Sequence, residues 1–501
     1  MIRFIKNIFG KKTNILILYS LIVLITSFFT YFKDYDYPPN VFWDENYHIA
    51  SAQKYLTRIM FMEPHPPLGK LFVALGEYII HPNDGITPVE LFKFTQTDYI
   101  SSFPAEYSFA GVRFFSALFA WLSAIVFFYI FYFISKNPHT SLLFSSLYLF
   151  ENALIAQSRG AMLEGSHLFF ILLAILYFVY LVQKTSRKTL FNYFVFGLLI
   201  GFTLSIKATG AITIFLFPFL FTLDQKERLT KWTASKLFLL RKLVLSCLFF
   251  AFGVVVIFGL TWYVHFSLGR VATNDKYYRA SDEYRQIMDD DLVSDPKYFM
   301  IMLKDNLAYM KNYNKGVPKL DVCKEGENGS YPLLWSLGGK TINYRWNKNG
   351  DSVKYLYLQS NPAIWFLGLV GIVLSFVLII GKIVFKNSIK NKRLFYLMSS
   401  FSSLYVIYMA IMLKIERVMY LYHYFIPLLF SLILSFLVFN YIFEEKLANK
   451  SKKIYLCLII MVIIIIGTHK FFSPFTYYEP LTTNQFKQRM WFNFWQLKPV
   501  E

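Results

Sequence analysis

The sequence predicts an all-α integral membrane protein with about eleven transmembrane helices and two long extracytoplasmic loops. Two observations lead to this fold class. The chain is 56% hydrophobic and only 16% charged, whereas soluble domains carry about 25% charged residues. Its apolar residues are also gathered in long runs, many near the length of about 20 residues that a helix needs to cross a bilayer.

The apolar runs occupy most of the chain and are separated by short polar gaps. We place them at residues 14–31, 109–133, 141–157, 163–183, 190–206, 208–222, 241–266, 361–384, 394–413, 419–443 and 453–471. Lys207 and its neighbours alone separate the fifth and sixth runs. The first run follows Lys6, Lys11 and Lys12 and lacks a small-x-small cleavage site, so we interpret it as a retained anchor.

Positive charge predicts the orientation of these helices. If the N-terminus is cytoplasmic, the inside gaps contain far more Lys and Arg than the short outside gaps, most of them in residues 226–242, 382–393 and 446–453. Cytoplasmic loops carry such an excess. The sequence therefore predicts a multi-pass membrane protein with a cytoplasmic N-terminus, whose loops 32–108 and 267–360 are extracytoplasmic.

Three regions follow from this arrangement. Residues 1–266 form an N-terminal catalytic transmembrane module that includes loop 32–108, residues 267–360 form an extracytoplasmic loop region, and residues 361–501 form a C-terminal transmembrane module with an outer tail. Within the first loop, apolar residues three and four apart predict short helices at 47–61 and 68–80. Both helices are expected to lie along the membrane surface.

The first extracytoplasmic loop concentrates polar groups directly after a span. It carries Asp44 and Glu45, then His48, then the turn Glu63-Pro64-His65-Pro66-Pro67, then Lys70. One such residue is typical of a solvated loop. Two adjacent carboxylates with two histidines and a proline-locked turn instead indicate an active site.

More polar residues interrupt the apolar runs near the same predicted side of the membrane. An ionisable side chain inside a span usually faces a cavity or a partner. Cations outnumber anions among them, which suits an anionic phosphate ligand. The alternative is that they pair with one another and fix helix packing, which we expect for Glu151. The other members are Arg113, Arg159, Glu164, Lys207, Tyr422 and His423.

Several classes of protein and site are excluded or disfavoured. The net charge of +20 does not indicate nucleic-acid binding, because the cations lie between spans, where they set topology. The three cysteines are scattered, so no disulfide framework or cysteine-based metal site is predicted. A divalent metal held by Asp44, Glu45, His48 and His65 is conceivable but not favoured, because the surrounding cations already supply positive charge.

These motifs together resemble those of the protein O-mannosyltransferase family. The resemblance is carried by Asp44-Glu45, by His65-Pro66-Pro67-Leu68-Gly69-Lys70, by Arg113, by Ser158-Arg159 with Leu163-Glu164, by Gly201 to Lys207, and by Asn361-Pro362 and Tyr420 to Tyr424. It covers nearly the whole chain. It departs from the family at Glu164, where Asp is usual, at Gly165, which precedes Ser166, and at Ser360, where Gly is usual.

The resemblance implies a fold, two substrates and a set of roles. It implies a C-type glycosyltransferase fold. Residues 267–360 are too short for the extra β-trefoil domain of the eukaryotic members, which favours the bacterial type and a location in the plasma (inner) membrane. The implied donor is mannose on a polyprenyl phosphate, and the implied acceptor is a Ser or Thr hydroxyl of an exported protein. Asp44 is then the general base, with Glu45 orienting it or the acceptor. The implied donor ligands are Arg113, Arg159, Lys207, His423 and Tyr422, and the residues that shape the site are His48, His65, Pro66, Pro67, Lys70 and Glu164. Displacement with one base predicts inversion at the anomeric carbon, and no cofactor is required.

Three rival functions remain open at this stage. A related transferase would move a sugar from the same kind of donor to lipid A or another envelope glycan. A transporter or flippase is disfavoured because no paired halves with broken helices are evident. A structural scaffold would not explain Asp44-Glu45 beside His65-Pro66-Pro67. The oligomeric state, the sugar and the source organism are not determined by the sequence.

Overall fold

The computed structural model describes residues 11–184, 188–226 and 236–500 and is predominantly helical. Numbered in chain order, its helices are α1 Lys11–Ser27, α2 Glu45–Leu56, α3 Leu68–Ile80, α4 Pro88–Lys93, α5 Ala110–Ser135, α6 Pro138–Leu149, α7 Asn152–Ser158, α8 Glu164–Gln183, α9 Leu190–Ile206, α10 Leu216–Asp224, α11 Lys236–Leu268, α12 Asp282–Asp289, α13 Phe299–Gly316, α14 Pro332–Trp335, α15 Pro362–Phe385, α16 Lys392–Lys414, α17 Phe425–Ile442, α18 Glu444–Ala448, α19 Lys452–Tyr477 and α20 Thr483–Lys487. The strands are β1 Ile342–Asn349, β2 Ser352–Leu358 and β3 Pro480–Thr482.

The long helices confirm the predicted class of fold. Among the described residues, 8 helical segments are long and apolar enough to cross a membrane, and α9 and the segment Ala208–Asp224 are shorter apolar helices. The predicted total of about eleven spans stays a prediction. Of the charges used for orientation, Arg187, Arg228 and Lys231 lie outside the described residues.

The predicted third span is not one continuous helix. It is divided into α6 and α7, because Glu151 turns its carboxylate back onto the backbone and into the protein. Its Oε2 accepts the amide of Leu154 at 2.6 Å, and its Oε1 accepts the amide of Asn361 and the indole N–H of Trp365, each at 2.9 Å. Glu151 therefore has the packing role that the sequence predicted.

The two short helices of the first loop are present, although one prediction extended too far. Helix α3 begins and ends as predicted, whereas α2 ends at Leu56 and not at residue 61. Arg58 adopts a left-handed conformation with φ of 59°, which stops the helix. The amide of Met60 then donates to the carbonyl of Val271 at 2.8 Å, which ties this segment to a distant part of the chain.

The described residues divide into two compact units. Asp34–Phe119 and Ser158–Pro318 form one unit, which we call the motif unit because it contains Asp44, Arg113 and Lys207. The other unit consists of the described residues up to 33 and of residues 120–157 and 319–500. We call it the C-terminal unit because most of it, including Tyr422 and His423, comes from the C-terminal part of the chain. The division at residues 266 and 360 that the sequence predicts is not tested and stays a prediction.

Glycines allow close helix packing within the motif unit. A Cβ atom on Gly165 of α8 would lie 2.3 Å from the carbonyl oxygen of Ser116 on α5. A Cβ atom on Gly197 of α9 would likewise lie 2.0 Å from the carbonyl oxygen of Phe250 on α11. Small residues at such crossings let helix backbones approach in a membrane. Gly165, at which the sequence departs from the family motif, therefore has a packing reason.

We expect Gly165→Ala to destabilise the protein by about 1–3 kcal/mol, because the added methyl group meets backbone that cannot move aside cheaply. Unfolding in detergent measures this change. Gly259→Ala is the matched control, because a Cβ atom there meets no atom of residues 11–184, 188–226 or 236–500 within 4 Å, and alanine favours a helix over glycine by about 1 kcal/mol. Equal stability of the two variants would contradict the packing role of Gly165.

A small antiparallel sheet in the C-terminal unit was not predicted. It has the order β1-β2-β3, and Ile342 pairs with Leu358 while Val353 pairs with Leu481. The buried side chains of β2, Val353, Tyr355 and Tyr357, pack with Phe472, Phe475, Phe486 and Trp495. The sheet therefore covers the end of α19 with its own hydrophobic core.

Candidate active site

A buried ion pair joins the first loop to α5. The Nε atom of Arg113 donates to Oε1 of Glu45 at 2.7 Å, and its Nη2 donates to Oε2 at 2.8 Å. Both side chains are 0% exposed. Glu45 also accepts the amide of Phe42 at 3.0 Å and that of Ala161 at 2.7 Å. Its carboxylate therefore ties the first loop both to α5 and to the segment that contains Ala161, and each of its oxygens accepts two hydrogen bonds.

Arg113 uses its remaining N–H groups on the backbone of the loop. Nη1 donates to the carbonyls of Asp36 and Pro38 at 2.6 and 2.7 Å, and Nη2 donates to that of Asn40 at 2.8 Å. A guanidinium has five N–H groups, and these contacts together with Glu45 occupy all of them. The predicted role of Arg113 as a donor-phosphate ligand stays untested, but this geometry favours a residue that positions the loop.

Asp44 differs from its neighbour in exposure. It is the residue immediately before α2 and is half-buried, whereas Glu45 has no exposed surface. The backbone carbonyl of Asp44 accepts the amides of Tyr47 at 3.1 Å and His48 at 3.2 Å, which completes the first turn. Of the two adjacent acidic residues, Asp44 is thus the more exposed.

His48 connects α2 to the same segment that Glu45 binds. Its Nδ1 lies 2.7 Å from the carbonyl oxygen of Ala161, so Nδ1 carries the proton. Burial lowers the pKa of His48 to about 3, and the nearby cations of Lys70 and Lys207 act in the same direction, while Glu164 opposes them. A neutral His48 adds no positive charge to this region, and its predicted role in shaping the site stays a prediction.

The pKa of His48 predicts a pH-dependent stability. The unfolded chain takes up a proton near pH 6.5, while the folded state resists protonation down to about pH 3. Acid therefore favours the unfolded state between these values. We expect His48 to account for a loss of about 2 kcal/mol in unfolding free energy between pH 7 and pH 5.

The check is to measure unfolding in detergent at both pH values. His48→Phe should remove this part of the pH dependence. His81→Gln is the control, because His81 is 54% exposed beside Asp84. A pH dependence that is the same in wild type and His48→Phe would show that His48 is not held neutral.

The proline turn is clamped by a second buried ion pair. Nζ of Lys70 donates to Oε2 of Glu63 at 2.6 Å and to Oγ of Ser51 at 3.0 Å. The backbone of Glu63 is held by the Asn306 side chain through two contacts of 3.0 Å. Burial raises the pKa of Glu63, and the charge of Lys70 opposes that rise. Pro66 and Pro67 are buried and His65 is half-buried, between the two clamping residues.

Sequence reasoning missed this clamp as an ion pair. The sequence indicates Glu63 only as part of the turn. It gives no sign of Asn306 or of Tyr55, whose hydroxyl donates to Oε1 of Glu63 at 3.3 Å. The available signal was the pair of opposite charges that brackets His65-Pro66-Pro67. The positions of Tyr55 and Asn306 depend on tertiary structure and left no local pattern.

The segment from Arg159 to Glu164 lies against the first loop in the motif unit. Nη2 of Arg159 donates to the carbonyl of Asp34. Glu164, the first residue of α8, forms an ion pair with Lys207, which follows the end of α9. The carbonyl oxygen of Ala161 accepts a hydrogen bond from His48, and its amide donates to Glu45. These contacts bring the following residues into one region: Asp44, Glu45, His48, Arg159, Glu164 and Lys207.

The two aromatic candidates lie in the other unit. Tyr422 and His423 belong to the turn Leu421–Tyr424, where their rings stack at 4.6 Å. Nδ1 of His423 lies 3.0 Å from the carbonyl oxygen of Tyr420. Their predicted role at the donor is therefore neither confirmed nor contradicted.

Metal binding is likewise untested. Within residues 11–184, 188–226 and 236–500, no group of three or more His, Cys, Asp or Glu side chains is arranged to hold an ion. Independence from metals stays a prediction.

Comparison with family profiles matches most of the chain. Residues 21–270 match the profile described as dolichyl-phosphate-mannose-protein mannosyltransferase. Residues 302–495 match the C-terminal four-transmembrane region of protein-O-mannosyltransferase. The two matches follow each other along the chain as they would in a single family member.

Curated relatives are similar over part of their length. Protein O-mannosyl-transferase 2 of Drosophila melanogaster is 23% identical over 307 residues, which is 59% of this chain and 38% of the relative. Dolichyl-phosphate-mannose–protein mannosyltransferase 6 of Saccharomyces cerevisiae is 28% identical over 196 residues, 38% of this chain and 24% of the relative. The chain thus spans well under half of the length of these relatives.

A solved structure shares the fold. It is that of the S. cerevisiae protein O-mannosyltransferase Pmt1–Pmt2 complex bound to the sugar donor. The TM-score is 0.78 at 14% identity, and the match covers 97% of this chain and 93% of that chain. This likeness confirms the predicted C-type glycosyltransferase fold. The two profile matches, over residues 21–270 and 302–495, show that the chain belongs to the protein O-mannosyltransferase family.

Proposed function

We propose that this protein transfers mannose from a polyprenyl-phosphate donor to a Ser or Thr hydroxyl of an exported protein. The observation that carries the proposal is the contrast between Asp44 and Glu45. Glu45 is buried and bound to Arg113 and two backbone amides, while Asp44 is half-buried at the start of α2. The ion pair therefore fixes a loop that presents one reachable carboxylate.

In the proposed reaction Asp44 is the general base. Its carboxylate takes the proton of the acceptor hydroxyl as that oxygen attacks the anomeric carbon. The bond between the anomeric carbon and the phosphate oxygen breaks, and the polyprenyl phosphate leaves as a phosphate monoester. A single displacement of this kind inverts the anomeric configuration.

Cations near the site would stabilise the leaving phosphate. A preformed positive charge is most useful where negative charge develops. Lys207 is the stronger candidate, because an ammonium group has three N–H donors and can hold Glu164 and a phosphate oxygen together. Arg159, which is 6% exposed, is the second. Arg113 is proposed to act indirectly, through the loop that it binds.

The acceptor class is tested by comparing cells with and without the gene. Intact masses of exported proteins and of envelope lipids are measured in both. The proposal predicts hexose additions on proteins that disappear with the gene, while lipid masses stay the same. A change confined to envelope lipids would instead identify a transferase that acts on a lipid or glycan.

The proposed orientation places the site outside the cytoplasm. Cys323 is exposed and lies in the loop 267–360, which is predicted to be extracytoplasmic. It should therefore react with a membrane-impermeant thiol reagent from the outside of intact cells. Asn387→Cys, at an exposed position in a predicted cytoplasmic gap, should react only after the membrane is opened. Labelling of both positions from the same side would contradict this topology.

A further inference from the structure

A histidine that the proposed mechanism does not use lies beside the Glu164–Lys207 pair. His167 follows Glu164 by three residues on α8, so the two side chains share one face of the helix. Its side chain is 2% exposed, and its amide donates to the carbonyl of Leu163 at 2.9 Å. His167 therefore lies about one helical turn further along α8 than Glu164 and on the same side of the helix.

The ring of His167 has an unsatisfied nitrogen. Nε2 is buried and has no hydrogen-bond partner among the described residues. Buried polar atoms without a partner are rare in folded proteins, and each calls for an explanation such as a ligand or a catalytic role. An apolar residue would fill this place on α8 without leaving a polar atom unpaired.

The surroundings of the ring point to a polar ligand. The imidazole interacts electrostatically with both Lys207 and Glu164, and His48 interacts with the same two residues. The described residues provide no metal-binding group here. A carboxylate, an ammonium group and an imidazole thus lie together within the motif unit.

We propose that Nε2 of His167 binds a hydroxyl group of the donor hexose, next to Glu164 and Lys207. This inference rests on the proposed function. A hydroxyl both donates and accepts hydrogen bonds, so it satisfies Nε2 in either tautomer. The carboxylate of Glu164 can accept a hydrogen bond from a hydroxyl of the same hexose. His167 thereby helps to select the sugar.

The test compares donors that lack one hydroxyl each. Purified wild-type protein and His167→Leu are given polyprenyl-phosphate mannose and its monodeoxy analogues, and kcat and KM are measured for each. In the wild type, one deoxy donor should show kcat/KM lowered about tenfold or more, since a site that binds a hydroxyl rejects the analogue without it. In His167→Leu that penalty should disappear, and the mannosyl donor should lose activity by a similar factor.

Controls separate binding from folding. His469→Leu makes the same change at another buried histidine, whose Nδ1 has no hydrogen-bond partner in the described part of the chain. This variant should keep the wild-type pattern of discrimination. The melting temperature of His167→Leu should not fall, because the variant removes an unpaired polar atom. If His167→Leu does not fold, His167→Phe keeps the volume of a ring and is measured in the same way.

Two results would overturn the inference, and they are distinguishable. If the wild type transfers mannose but His167→Leu discriminates among the deoxy donors as the wild type does, Nε2 binds a buried water or nothing, and only this inference fails. If the wild type transfers from no hexosyl donor, the proposed function fails and the inference fails with it.

Discussion

Asp44→Asn is expected to lower turnover by about 10²- to 10⁴-fold, the usual contribution of a general base. The substitution keeps the size of the side chain and most of its hydrogen bonding, but it removes the basic oxygen. Asp44 is half-buried and lies outside the contacts that Glu45 makes with Arg113. Binding of the lipid donor and the melting temperature should therefore stay near wild-type values.

Asp36→Asn is the matched control for this substitution. Asp36 lies in the same loop and is exposed. Its contact with Arg113 is a hydrogen bond to its backbone carbonyl, which the substitution does not change. The control should therefore keep normal turnover. Near-normal activity of Asp44→Asn would remove Asp44 from the chemistry. A loss of donor binding as large as the loss of rate would instead show that Asp44 holds the site together.

Glu45→Ala is expected to destabilise the protein by about 3–5 kcal/mol, because it leaves the guanidinium of Arg113 buried without a counter-charge. Two backbone amides, those of Phe42 and Ala161, also lose their acceptor. Arg113→Ala should have an effect of similar size, since it leaves Glu45 buried and three loop carbonyls without their donor. Unfolding in detergent measures both variants.

Lys319→Ala is the control for these two variants. Lys319 forms an ion pair with Glu416, but the two side chains are 79% and 72% exposed, and such surface pairs contribute little. Its removal should leave stability unchanged. If Glu45→Ala folds as stably as the wild type but is inactive, Glu45 takes part in the chemistry and the division of roles with Asp44 is wrong.

The fold was predictable because its main signals are local and repeated. Runs of apolar residues predicted the long helices, and the spacing of apolar residues after Pro67 predicted Leu68–Ile80 with its observed bounds. The end of α2 was not predictable in this way, because it depends on Arg58 and on a contact with Val271. The sheet was missed because β1 and β2 lie in a polar segment that resembled a loop.

The candidate site was predictable in its membership more than in its roles. The residue types after the first span marked Asp44, Glu45 and His48 as a group. The role of Arg113 could not be predicted, because it depends on three carbonyls that a distant loop brings to the guanidinium. His167 looked like any residue of an apolar run, since nothing local in the sequence shows that its Nε2 lacks a partner among the described residues.

The most direct measurement is transfer by the purified protein in detergent. Polyprenyl-phosphate mannose with a labelled sugar is incubated with a peptide that contains Ser and Thr, and the product is analysed by mass and by its sensitivity to anomer-specific mannosidases. Our account predicts a peptide with mannose on a hydroxyl side chain, in the anomeric configuration opposite to that of the donor. Mannose linked with retained configuration, or label that appears only in lipid, would contradict it.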